Sequence, residues 1–112
     1  MNYCLFYGSL KSTGYNFNRF SGQKLIKEVE LDGFEMYSLN HYPAVCPGQG
    51  KIKCELQQIS KSAMALIHNM EIGAGYKKIT LDIDNVTANL YVMDKSYLEK
   101  NCTKVESGNW VK

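Results

Sequence analysis

The chain has 112 residues, 45% of them hydrophobic and 21% charged, with a formal net charge of +2. That length bounds it to one domain, residues 1–112, built around one core. The lysines are scattered rather than run together, which argues against nucleic-acid binding, and no stretch approaches the length of a membrane span.

Tyr3 to Phe6 is an apolar run that reads as a first strand. It breaks directly into Tyr7-Gly8-Ser9-Leu10, where a strand end leaves backbone N–H groups unpaired and glycine lets a ligand approach the main chain. Such a turn can cradle a carboxylate or a developing oxyanion, and by itself it can equally be only a turn. Lys11 to Gly14 suits an exposed loop, and Tyr15 to Phe20 has room for a short helical turn. Lys24 to Leu31 reads as a strand, Gly33 interrupts it, and Phe34 to Leu39 resumes the apolar pattern. His41 to Gly50 holds both prolines and two glycines and is expected to be a loop. Lys51 to Ile59 alternates, with Ile52, Cys54 and Leu56 on one face and Lys51, Lys53, Glu55 and Gln57 on the other, the pattern of a half-exposed strand.

The one prominent helix begins after Ser60, a good N-cap, with apolar residues at Ala63, Met64, Leu66, Ile67 and Met70. Gly73 and Gly75 stop it. Tyr76 to Ile83 and Val86 to Met93 follow as two strands, joined by the hairpin turn Asp84-Asn85. The polar tail has a helical turn at Ser96 to Asn101 and closes on Ser107-Gly108-Asn109-Trp110. Strands and helices are not interleaved, so the expectation is an α+β fold with a curved, partly closed mixed sheet and one main helix.

The four cysteines, Cys4, Cys46, Cys54 and Cys102, form no Cys-x-x-Cys pair, and there are two histidines, His41 and His68. These spacings suit free thiols rather than a zinc site or a disulfide framework, and no metal is expected. The short apolar N-terminus lacks a basic segment, so it does not read as a secretory leader, and a cytoplasmic location is expected.

Glu71 ends the helix between the apolar Met70 and Ile72. Burial there would raise its pKa toward the range useful for moving protons, and a helix C-terminus pushes the same way. The plainer reading is a carboxylate that faces water at a helix end. His68, three residues earlier, shares its helical face. Ser9 lacks a Gly-x-Ser-x-Gly context and is not read as a nucleophile. Tyr42 and Tyr76 either line a pocket or pack, and Glu55 reads as solvated.

Taken in order, Tyr7-Gly8-Ser9-Leu10, Gly33-Phe34, Tyr42-Pro43-Ala44-Val45, Cys54-Glu55-Leu56, Met70-Glu71, Tyr76 and Ser107-Gly108-Asn109-Trp110 resemble the γ-glutamylcyclotransferase-like family, including its γ-glutamylamine cyclotransferase branch. The likeness runs from about residue 3 to residue 110. Departures from the family pattern are Cys54 for a glycine, His68 for an aspartate, Ile72 for a glycine, and Tyr76-Lys77-Lys78 for Tyr-x-Arg. The resemblance implies a small mixed β-barrel with a cavity at one end. It also implies a cofactor-independent enzyme that cyclises a γ-glutamyl group to 5-oxoproline and releases an amine. Glu71 would be the general acid/base, with Tyr7, Gly8, Ser9, Leu10, Tyr42 and Tyr76 as substrate-binding residues. A small-molecule γ-glutamyl substrate is the expected partner, without nucleic acid or membrane, and the chain is expected to act as a monomer or weak homodimer. The alternative is a non-catalytic module that holds a small anion or a protein on the same scaffold.

Overall fold

Six strands and two helices are arranged around one mixed sheet in the computed structural model, which describes residues 2–111. In chain order these are β1 (Asn2–Phe6), β2 (Gln23–Ser38), β3 (Pro43–Ile59), α1 (Lys61–Gly73), β4 (Lys77–Ile83), β5 (Val86–Val92), α2 (Lys95–Asn101) and β6 (Thr103–Lys104). The sheet order is β4-β5-β1-β3-β2-β6. Among the described strands only the β1–β5 pair is parallel, since α1 and β4 carry the chain from β3 past β1 to β5; the other ladders are antiparallel. The sheet curls into a half-barrel, so the α+β expectation holds.

Side chains alternate across the central strands and feed two cores. Cys4 and Phe6 of β1 join Ala63, Met64 and Ile67 of α1 on one face. Leu5 and Tyr7 join Val45, Ile52, Leu56 and Leu90 in the concave interior. Leu98 of α2 plugs the helix-side core. Leu66 departs from the expected apolar stripe: it is half exposed, one position off the face that meets the sheet.

Two expected boundaries moved. Gly33 does not end a strand; it takes φ +87° at a register shift between Asp32 and Phe34, so β2 bends there and continues. The segment expected as a loop, His41 to Gly50, is strand from Pro43 onward and pairs with Phe34 to Ser38. Its prolines are tolerated because Pro43 is the first strand residue and Pro47 sits beside that bulge, where the missing N–H leaves the ladder intact. Asn16 to Phe20 forms successive turns rather than a helix. The Asp84-Asn85 hairpin has both residues at positive φ, 48° and 67°, as a type I′ turn requires.

Candidate active site

The C-terminal turn of α1 sets the position of Glu71. Gly75 adopts φ +99°, which reverses the chain and lets Tyr76 N–H donate to the Glu71 carbonyl and Gly75 N–H to the Ile72 carbonyl, both at 3.1 Å. This paired cap ties the Glu71 and Tyr76 backbones together at the helix end. Tyr76 then folds back over the sheet, where its hydroxyl donates to the Pro43 carbonyl at 2.6 Å.

On the opposite wall, β1 delivers Tyr7, whose buried hydroxyl donates to the Tyr91 carbonyl at 2.7 Å. The chain then turns sharply, with Lys11 N–H donating to the Gly8 carbonyl at 3.0 Å and Asn16 N–H to the Ser9 carbonyl at 3.0 Å. Asn16 Nδ2 also donates to Ser9 Oγ at 3.0 Å, which places that hydroxyl in a structural contact. The N–H groups of Gly8, Ser9 and Leu10 donate to no other described residue. Gly8 is not in the left-handed region; its requirement is steric, since a Cβ there would lie 3.1 Å from the Pro43 ring. Gly14 is needed for a similar reason, because a Cβ would run into the Ser9 main chain.

These elements converge on one cavity of about 280 Å³. The residues expected to catalyse or to bind substrate all line it: Tyr7, Gly8, Ser9, Leu10, Tyr42, Glu71 and Tyr76. Tyr42 is 42% exposed and stands at the rim, while Tyr7 and Tyr76 are buried. The Glu71 carboxylate makes no hydrogen bond or ion pair with another described residue, and burial alone pushes its pKa from 4.5 up to about 7. Burial, with the Glu71 charge as a secondary influence, holds the Tyr7, Tyr76 and Tyr91 hydroxyls far above their ordinary range, so they remain protonated donors. A larger groove of about 720 Å³ contains neither Glu71 nor the Gly8–Ser9 turn.

Several supporting residues escaped the sequence reading. Glu55, expected to be solvated, is 6% exposed and accepts from Ser12 N–H and Ser12 Oγ, each at 2.6 Å. Gln57, placed on the same outer face, is fully buried; its Nε2 donates to Glu55 Oε1 at 3.0 Å and to the Leu10 carbonyl at 3.1 Å. Gln23 Nε2 reaches the same carbonyl and Gln57 Oε1. The alternation had put Glu55 and Gln57 on the correct face; the polar segment after Leu10 folds over that face and removes it from water. The two-residue spacing of Glu55 and Gln57 was the available signal. His68 lies behind the cavity wall, its Nδ1 2.9 Å from the Tyr91 hydroxyl.

The family model for "Gamma-glutamyl cyclotransferase, AIG2-like" proteins matches residues 4–112. The chain belongs to this family. A Citrobacter rodentium gamma-glutamylcyclotransferase family protein, ytfP, is 29% identical over 106 residues, covering 94% of this chain and 91% of the relative. The Escherichia coli YtfP solution structure superposes with a TM-score of 0.79 at 25% identity, over 98% of this chain and 96% of that one. The crystal structure of PH0828 from Pyrococcus horikoshii gives 0.81 at 24% identity, over 97% and 89%, and shows the fold in common. Within the γ-glutamylcyclotransferase-like fold, the half-barrel mouth is where this chain gathers its turn, its tyrosines and Glu71. Among the described residues no helix is long and apolar enough to cross a membrane.

Proposed function

We propose that this protein is a γ-glutamylcyclotransferase, releasing 5-oxoproline and a free amine from a γ-glutamyl amide, with Glu71 as the general acid/base. One observation carries the reading: Glu71, with its uncompensated and partly buried carboxylate, and the Gly8–Ser9 turn, with its unpaired N–H groups, line one small cavity.

The substrate's α-ammonium must lose a proton before it can attack. Glu71, with a pKa of about 7, takes that proton near neutral pH. The freed amine adds to the γ-carbonyl carbon, forming the C–N bond of the five-membered ring. The negative charge that builds on the carbonyl oxygen is stabilised by the Gly8 and Ser9 N–H groups. The tetrahedral intermediate then expels its original amine. Glu71 returns the proton to that nitrogen as the C–N bond breaks; the ring nitrogen sheds its second proton to become the lactam N–H and the released amine takes one up as an ammonium, so one carboxylate serves both half-steps and no net proton is gained or lost. Tyr7, Leu10 and Tyr76 hold the γ-glutamyl chain folded, which turns ring closure into a reaction of preset geometry. Tyr42 covers the rim.

The test is 5-oxoproline release from a panel of γ-glutamyl amides by the wild type and Glu71→Gln. Loss of release in a folded Glu71→Gln protein supports the assignment. Retained turnover in that variant rules it out. Tight binding of a γ-glutamyl compound without turnover by the wild type would instead favour the non-catalytic module.

A further inference from the structure

The Gly8–Ser9 turn lines more than the cavity that holds Glu71. A second, smaller space of about 190 Å³ shares Gly8, Ser9 and Tyr15 with it as a common wall. Tyr15 is 78% exposed and stands at this junction. The far side of the smaller space is closed by Trp110, which packs against the interior core, and by Lys11. Lys11 is the one charged residue lining this space among those described. Its ammonium donates to the Trp110 carbonyl at 3.1 Å and forms no ion pair with a described residue, which leaves two N–H donors free. Glu28, Glu30 and Glu55 line only the larger groove beyond Lys11, and the Glu55 oxygens are already taken by Ser12 and Gln57.

We propose that this side space receives the leaving amine and that Lys11 selects amines bearing a carboxylate, so that the substrate is a γ-glutamyl amino acid rather than a γ-glutamyl alkylamine. The inference rests on the cyclotransferase reading and assigns its second half-site. With the γ-carbonyl at the Gly8–Ser9 N–H groups, the scissile nitrogen lies at the shared wall, and the group attached to it leads past Tyr15 toward Lys11. A volume equal to that of about six waters suits a small amino acid. Among the described residues, Lys11 is the one cation that lines either space, so it is the counter-charge at hand for a second carboxylate on the substrate.

The test compares γ-glutamylglycine with γ-glutamylglycinamide, which differ only in that distal carboxylate, using kcat/KM for 5-oxoproline release. The wild type should prefer the acid by about tenfold, the scale of one charge-assisted hydrogen bond. Lys11→Met should erase the preference by slowing the acid while leaving the amide within about twofold, and Lys11→Arg should keep it. A wild type without preference overturns the inference. So does a Lys11→Met variant that slows both compounds equally, since Lys11 would then serve the shared γ-glutamyl half or only the fold. Should Lys11→Met fail to fold once its tie to Trp110 is gone, the wild-type and Lys11→Arg ratios decide the matter by themselves. Turnover of neither compound nor of any other γ-glutamyl amide removes the cyclotransferase reading and this inference with it, which separates that failure from a failure at Lys11 alone.

Discussion

Replacing Glu71 with glutamine should stabilise the fold above neutral pH while it removes the proposed reaction. In the folded protein burial raises the Glu71 pKa from 4.5 to about 7; in the unfolded chain the group titrates at its ordinary value. Between those two pH values the folded state holds the extra proton, so stability falls as pH rises through the window. At about 1.4 kcal/mol per pH unit, the charged carboxylate costs at most roughly 3 kcal/mol above pH 7. Glutamine keeps the shape and carries no charge, so it escapes that penalty. Urea unfolding of both proteins from pH 4.5 to 8.5 reads the effect, because every other titrating group cancels in the difference. The two should match near pH 4.5 and diverge up to pH 7. Above that the variant should lead by up to roughly 3 kcal/mol, or about ten degrees in Tm for a domain of this size. A difference that is flat with pH, or a wild type that is the more stable protein at pH 8, would show that the Glu71 carboxylate is compensated in solution, and the proton-carrier argument would lose its basis.

Three further outcomes follow from the same geometry. Gly8→Ala should weaken γ-glutamyl binding more than Ser9→Ala, because the added methyl meets Pro43 whereas the serine hydroxyl only accepts from Asn16; KM values for the two variants compare them, and a covalent adduct on Ser9 would overturn the ranking. Glu55→Ala should cost about 2–4 kcal/mol in urea unfolding and raise KM, since it strips the acceptor from Ser12 and Gln57 beneath the substrate turn; an unchanged midpoint would mean that water replaces the carboxylate at little cost. Ending the chain after Glu106 should lower Tm by several degrees, because it removes the Gly108 carbonyl that accepts from Lys53 N–H and the Trp110 side chain that packs on the interior core. Trp110 is the sole tryptophan, so blue-shifted emission from the intact protein reports its packing directly, and emission like that of indole in water would count against it.

Local chemistry made much of this protein legible in its sequence. The N-cap at Ser60, the helical spacing of Ala63, Met64 and Ile67, the glycine stop at Gly75 and the Asp84-Asn85 turn are decided by residues within a few positions of one another, and each stands where the pattern puts it. The turn at Gly8 and the carboxylate at Glu71 were visible as residue types on recognisable elements. Their meeting was not legible in local pattern and was implied only by the family resemblance. They lie on different elements, and only the curl of the sheet brings the end of β1 to the end of α1 and closes a cavity between them. The same limit explains the errors. Proline and glycine content marked 41–50 as a loop, but strand pairing with β2 outweighed local propensity once both prolines fell where no ladder N–H was needed. Alternation put Glu55 and Gln57 on the polar face of their strand, yet alternation says which side a residue faces and not what covers it. The segment after Leu10 covers that side, turning two polar residues into the buried support of the turn. Solvent exposure belongs to the whole chain, so the raised pKa of Glu71, which depends on how much water reaches it, was decided by the tertiary structure alone.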